Sequence, residues 1–181
     1  FNTDLPQREF DAEKARYHWK KTVIGDKPIQ IHASEASLNG SVDVALLLQA
    51  SAKECGINIE VKKEPVDGYW SNIWNKQGIG MTTSYWSGRP TPDWMFTTCC
   101  SAASDWNDMA WRNTPASDAF NTLLEAARSE TDEKKRTEMY FETQRLMNED
   151  GGYLTWCYSQ LVSSNNKRVQ HDPVVAGNWH L

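Results

Sequence analysis

An α/β fold, with a mostly parallel sheet flanked by helices, is predicted by three features of this 181-residue sequence. Ile29–Ala33 alternates Ile-Gln-Ile-His-Ala, the period of a half-buried strand, and the stretch from Ile57 to Lys63 alternates in the same way. Between them Val44, Leu47, Leu48, Ser51 and Cys55 recur at helical spacing. Strand, helix and strand within about 35 residues form a βαβ unit, whose crossover is right-handed and whose strands run parallel.

The remaining elements follow along the chain. The segment from Asp11 to Lys21 is a short amphipathic helix, with Ala15, His18 and Trp19 on one side. Gly25-Asp26-Lys27-Pro28 is a turn before the first strand. Asn39-Gly40-Ser41 supplies a turn and a cap for the central helix, and Gly56 stops it. A short Trp-rich helix is expected from Asp67 to Lys76. Gly78-Ile79-Gly80 then leads into a third strand, Met81 to Trp86. This glycine pair is a tight turn and not a dinucleotide fingerprint, because Thr83 stands where the third glycine belongs. From Ser87 to Pro115 no period is clear, and a long irregular segment in a compact fold is usually functional. Phe120, Leu123, Leu124 and Ala127 mark one helix. Met139, Tyr140, Thr143, Leu146 and Met147 mark another, opened by Thr131-Asp132-Glu133 and closed by Gly151-Gly152. Tyr153 to Val162 is apolar enough for a buried strand, and the last 19 residues read as irregular.

Composition excludes several classes of function. The net charge is −5, which argues against a nucleic-acid partner. No apolar run approaches the ~20 residues that span a bilayer. Four cysteines, Cys55, Cys99, Cys100 and Cys157, form no C-x-x-C pair, and with His18, His32, His171 and His180 they give no metal-ligand spacing. They read as buried small hydrophobes, with one disulfide left open, although the adjacent Cys99 and Cys100 close a ring only with strain. No G-x-S-x-G elbow and no phosphate loop is present. A Cys99 or Cys100 thiol working with His171, or a carboxylate pair from Asp93, Asp105 and Asp108, would make a hydrolase, but nothing in the spacing specifies either.

Nine Trp, six Tyr and five Phe are more aromatic surface than a core of this size requires. A small-molecule cleft is aromatic and apolar with a few placed polar groups. In open α/β sheets such clefts lie beyond the carboxyl ends of the strands, where the segment from Ser87 begins. That segment carries Arg89, suited to fork a ligand carboxylate, and Asp93, suited to accept from a ligand ammonium. Each has a structural alternative: a turn or cap residue for Asp93, an ion pair or solvated charge for Arg89. Trp86, Trp94 and Trp111 are candidate cleft walls or core residues, with Trp94 and Trp111 favoured for the cleft by their polar neighbours.

Four stretches together resemble one family. They are Phe10-Asp11-Ala12-Glu13-Lys14-Ala15, Leu48 through Ile59, the loop Tyr85-Trp86-Ser87-Gly88-Arg89-Pro90-Thr91-Pro92-Asp93, and a helical series. That series runs Ala126-Ala127-Arg128, Asp132, Lys135-Arg136, Met139-Tyr140 and Gln144. Their order and spacing from about Phe10 to Val162 resemble the C-terminal lobe of the family 5 extracellular solute-binding proteins, the dipeptide, oligopeptide and nickel-type receptors of bacterial ABC importers. The resemblance implies a type II periplasmic-binding-protein-like fold. Residues 1–181 would be a single C-terminal lobe excised from a two-lobed receptor that closes by a hinge, with the last residues crossing back to the other lobe.

The resemblance further implies a periplasmic or membrane-associated extracytoplasmic location. It implies a monomer that hands a peptide or small solute to an inner-membrane permease, without catalysis and without a cofactor. In dipeptide receptors of the family, an aspartate of a DPD-type loop binds the ligand α-amino group, a role that falls here to Asp93. Thr91 replaces the first acid of that loop, and Trp94-Met95-Phe96 are bulkier than the usual residues. Arg89 suits a ligand with an extra carboxylate. The alternatives from other classes are a hydrolase and an interaction module without a cleft.

Overall fold

A computed structural model of the chain describes residues 2–159, 164 and 166–168. Two compact units are present, one spanning Thr3–Trp86 and the other beginning at Ser87 and including Asn2.

The first unit is built on the expected βαβ. Strands β1 (Ile29–Ala33) and β2 (Ile59–Lys63) pair in parallel, with Ile29 opposite Ile59 and Ala33 opposite Lys63. Before β1 comes helix α1 (Ala12–Trp19), capped by the Asp11 carboxylate on the Lys14 N–H. Helix α2 (Ser41–Glu54) connects the two strands. Its first residue follows Gly40 at φ +85°, and the free N–H groups of Gly40 and Val42 are met by the Glu35 carboxylate at 2.6 and 3.4 Å. At the other end Gly56, at φ +72°, turns the chain into a Schellman motif: Ile57 N–H reaches the Ala52 carbonyl and Gly56 N–H the Lys53 carbonyl. Alternation on β1 sends Ile31 and Ala33 inward to pack with Ala45 and Ala52 of α2 and Ile59 of β2. This is the core of the unit.

The third strand is shorter than the expected range Met81 to Trp86. β3 is Met81–Thr82 alone, parallel to β1, in a sheet ordered β2-β1-β3. One further rung forms, Thr83 N–H to the His32 carbonyl at 3.0 Å. The Thr83 carbonyl is then taken by the buried Tyr69 hydroxyl at 2.6 Å, which also lies 3.1 Å from the His32 carbonyl. Pairing therefore ends at Thr83, short of Trp86. Tyr69 opens helix α3 (Tyr69–Asn72), a single turn where the range Asp67 to Lys76 was expected.

In the second unit the segment expected to be irregular contains a helix, α4 (Pro92–Cys99). Thr91 caps it by accepting from Trp94 N–H, and Pro92 sits at its first turn, where a missing N–H costs nothing. The rest of the segment is held by side chains: the Asn107 amide donates to the carbonyls of Cys100, Ser101 and Trp111, and Arg112 to those of Ala102 and Ser104. Helices α5 (Pro115–Ser129) and α6 (Glu133–Asp150) follow as expected, opened by a Thr114/Ser117 capping box and by Asp132. Phe96, Trp111, Phe120, Leu124 and Ala127 form the buried apolar set of this unit.

The strand expected at Tyr153–Val162 does not form over its described part. Residues 151–159 carry no regular structure, and Leu154, Trp156 and Tyr158 are exposed. A strand needs an edge to pair with. This segment instead turns the Tyr153 hydroxyl onto Asp108 and the Cys99 carbonyl. Residues 160–162 and most of the expected irregular tail lie outside the described residues. All four cysteines are free, with Cys55, Cys99 and Cys100 buried and Cys157 exposed, so the open question of a disulfide resolves to none.

Candidate functional site

Asp93 stands in the first turn of α4, where an acid complements the helix N-terminus. Its Oδ1 accepts from Arg128 Nε of α5 at 2.7 Å, and the same guanidinium reaches Thr97 Oγ1. Burial and the adjoining Asp93 carboxylate, to which it hydrogen-bonds, hold the Tyr140 phenol above its ordinary pKa. These residues border a groove of about 550 Å³ whose polar lining includes Thr91, Asp93, Arg128, Arg136, Tyr140 and Gln144. The groove mixes two guanidiniums with one carboxylate, an arrangement suited to a polar, charged solute.

Arg89 lies on the loop before α4. One Nη donates to the Ser87 carbonyl at 2.9 Å, and the guanidinium sits 5.9 Å from the centre of the Trp94 ring, a cation–π distance. Trp94 is 55% exposed. Arg89 and Trp94 thus come together. Trp111 does not join them. It is 6% exposed, its ring packs 5.1 Å from Phe120, and its indole N–H donates to Asp150 at 2.8 Å. Of the two alternatives open for this residue, core packing describes it: a buried indole needs an acceptor, and Asp150 at the end of α6 provides one.

Trp86 closes the first unit and takes part in an aromatic cluster there. Trp74 meets Trp86 edge-to-face at 6.3 Å, and Trp70 meets Trp74 at 5.5 Å and Tyr85 at 5.7 Å. Tyr85 and Trp86 follow β3 in the chain, and Tyr69 meets Trp70 edge-to-face at 5.5 Å. Trp70 and Tyr85 remain exposed, and the neighbouring Ser84 hydroxyl is buried without a hydrogen-bond partner among the described residues. Trp70 and Trp74 were not singled out by the sequence, whereas Tyr85, Arg128 and Tyr140 stood in it within the family resemblance, with no site role. The first two were signalled by Trp density, whereas the Arg128 pairing has no local signature.

Other partners engage several of the residues weighed for a hydrolase. Among the described residues no group of three or more His, Cys, Asp or Glu side chains comes together to hold a metal ion. Asp93 is engaged by Arg128 and Asp108 by Tyr153. Cys99 Sγ donates to the Met95 carbonyl and touches Cys100 Sγ, while His171 lies outside the described residues. The hydrogen bond from Cys100 lowers the Cys99 thiol pKa, and the same bond with burial pushes Cys100 up.

Comparison with known proteins places these features. No curated protein is significantly similar to this sequence. The ABC transporter substrate-binding protein CtaP of Listeria monocytogenes superposes with a TM-score of 0.69 at 22% identity, covering 83% of this chain and 30% of that one. The periplasmic binding protein DppA of Helicobacter pylori, solved with the peptide STSA, gives 0.67 at 20% identity over 83% of this chain and 29% of its own. NikZ of Campylobacter jejuni, solved with Ni(L-His), gives 0.63 at 16% over 82% and 32%. The chain thus spans about a third or less of the length of these relatives, and it shares their periplasmic-binding-protein fold. Residues 1–108, which include the Tyr85–Asp93 loop, match the family described as bacterial extracellular solute-binding proteins, family 5 Middle. This chain belongs to the bacterial extracellular solute-binding proteins of family 5.

Proposed function

We infer that this chain is part of the substrate-binding component of an ABC importer. In this reading it captures a peptide or a related small solute outside the cytoplasm and delivers it to a permease. The observation that carries the reading is the family match across residues 1–108, because it takes in both the aromatic cluster and the charged loop. The peptide held by DppA supports that ligand class, and the Ni(L-His) held by NikZ marks how far ligands range across the fold. Both units of the chain would belong to one C-terminal lobe of a larger two-lobed, monomeric receptor. That receptor would work without catalysis, cofactor or nucleic acid. None of the described helices is long and apolar enough to cross a membrane.

The proposed roles follow from chemistry. Asp93 accepts hydrogen bonds from a ligand ammonium in exchange for Arg128. Arg89, backed by Trp94, forks a ligand carboxylate. Trp86, with Trp70, Trp74 and Tyr85, offers apolar ring faces to ligand side chains. Trp111 acts from behind, by fixing the segment after α4 on α5.

The test is calorimetric titration of the full-length receptor with a dipeptide and with its N-acetylated and C-amidated forms. Each blocked terminus should weaken binding by roughly 2–5 kcal/mol, as for one truncated member of a buried charge pair. Equal affinity for all three forms would remove the roles of Asp93 and Arg89. Native mass spectrometry of gently purified receptor adds an independent readout, since a co-purified small molecule reports the ligand class by its mass.

A further inference from the structure

Three sulfur atoms converge inside the second unit, at a place the solute reading does not use. Cys99 is the last residue of α4 and Cys100 its cap, and their Sγ atoms stand 3.2 Å apart. From α6, Met147 brings its Sδ to 3.6 Å from Cys100 Sγ. Both cysteines are nearly inaccessible, at 2% and 1% exposed. Adjacent side chains on a helix diverge by about 100°. Here the chain leaves the helix at Cys100, φ −122° and ψ −24°, and the two thiols come to the same side. Met147 arrives from 47 residues away, so the third sulfur is placed by the fold.

Apolar side chains would fill the same space with no reactive group. Two thiols and a thioether are instead a soft donor set. Hard cations prefer oxygen, and zinc sites are completed by four thiolate, imidazole or carboxylate ligands. Thiolate with thioether selects Cu(I). We propose that Cys99, Cys100 and Met147 form a three-sulfur binding site for a soft monovalent cation, Cu(I) or its analogue Ag(I).

Each ligating thiol gives its proton to solvent, so affinity rises with pH. No electron transfer is involved, because the ion arrives reduced. A metal–thiolate bond is about 2.3 Å long, so three sulfurs around one ion stand ~4 Å apart. The present 3.2 and 3.6 Å separations therefore open by less than ~1 Å as the ion enters. The flexible, unbranched Met147 can follow that movement. Gly151 keeps its path clear, since a Cβ there would lie 3.0 Å from Met147 Cγ. The Tyr153 hydroxyl reaches the Cys99 carbonyl from a segment without regular structure. The site is independent of the proposed solute function, and its test does not bear on that function.

The test uses the full chain, reduced and free of oxygen, titrated with Cu(I) against a colorimetric Cu(I) chelator. Wild type should retain one Cu(I) per chain. Cys99→Ala/Cys100→Ala should lose it with at least a hundredfold drop in affinity, Met147→Leu should weaken it about tenfold, and Cys55→Ala/Cys157→Ala should leave it unchanged. X-ray absorption should find three sulfur donors. Surrender of all copper by wild type, full retention by Cys99→Ala/Cys100→Ala, or nitrogen and oxygen donors would each overturn the proposal. Should that double variant fail to fold, Met147→Leu decides, because it conserves volume. Unchanged affinity there overturns the three-sulfur site.

Discussion

Removing Arg128 separates the two roles open to Asp93. The pair is short, 2.7 Å from Nε to Oδ1, but its side chains are 44% and 31% exposed. Two unit charges about 4 Å apart interact by ~1 kcal/mol in water and ~4 kcal/mol at an effective dielectric of 20. Solvent screening and side-chain entropy reduce an exposed pair to roughly 0.2–1 kcal/mol. Arg128→Met, which keeps the apolar stem, should therefore lower stability by no more than about 1 kcal/mol in urea denaturation. Binding then becomes readable on a folded protein. If Asp93 receives a ligand ammonium, Arg128→Met removes its competitor, and dipeptide affinity in the full-length receptor holds or rises. Asp93→Asn should weaken the same titration by roughly 2–5 kcal/mol, and the double variant should bind as weakly as Asp93→Asn. If Asp93 only anchors α4 on α5, both single variants lose similar stability and neither moves the affinity. That pattern would refute the ligand role.

Other substitutions test the frame around the loop. Phe120, fully buried between Phe96 and Trp111, should cost about 3–5 kcal/mol as Phe120→Ala in denaturant unfolding, whereas the exposed Trp94→Ala should cost under ~1 kcal/mol. Gly80 holds φ +106°, and a Cβ there would lie 2.7 Å from the Gln30 carbonyl oxygen of β1, so Gly80→Ala should destabilise by more than ~1 kcal/mol; an unchanged melting curve would contradict the tight approach. Thr91→Ala removes the α4 cap and should cost about 1 kcal/mol. The Arg145 guanidinium beside Glu142 holds that carboxyl below its ordinary range. A depressed carboxylate stabilises the fold above its unfolded pKa and loses that contribution as pH falls through the folded one. The melting-temperature gap between wild type and Arg145→Gln should thus be present at pH 7 and close in acid.

The fold was most readable where one physical signal acted alone. β1 is bounded as its alternation predicts because one face packs on α2 and the other does not. α2 ends where Gly56 permits a left-handed turn. Helix α4 was missed, since its eight residues make little more than two turns, too few to establish a period, yet its start was written in Thr91 and Pro92. β3 and the Tyr153 segment failed for the opposite reason. Their composition suits a strand, but a strand exists only with a partner, and partners lie far off in sequence. At Thr83 the tyrosine hydroxyl of α3 takes the carbonyl that a longer strand would have used.

The same distinction governs the candidate site. Spacing located the Arg89–Asp93 loop, because a charged, proline-rich, aromatic stretch after a strand is a local feature. It carried no sign that Arg128, 35 residues on, pairs with the Asp93 carboxylate. Trp94 and Trp111 make the point most sharply, since each has one charged neighbour, Asp93 or Arg112, and both read equally as cleft walls. Trp94 falls on the outward side of the first turn of α4, beside the Arg89 guanidinium. Trp111 falls where Phe120 gives it a ring face and Asp150 an acceptor for its indole N–H. A buried indole without that acceptor would lose roughly 1–3 kcal/mol, so the carboxylate at the end of α6 selects which tryptophan enters the core. The vicinal cysteines follow suit: their adjacency is visible in the sequence, but the Met147 sulfur that would turn two packed thiols into a donor set is supplied by the pairing of α6 with the end of α4.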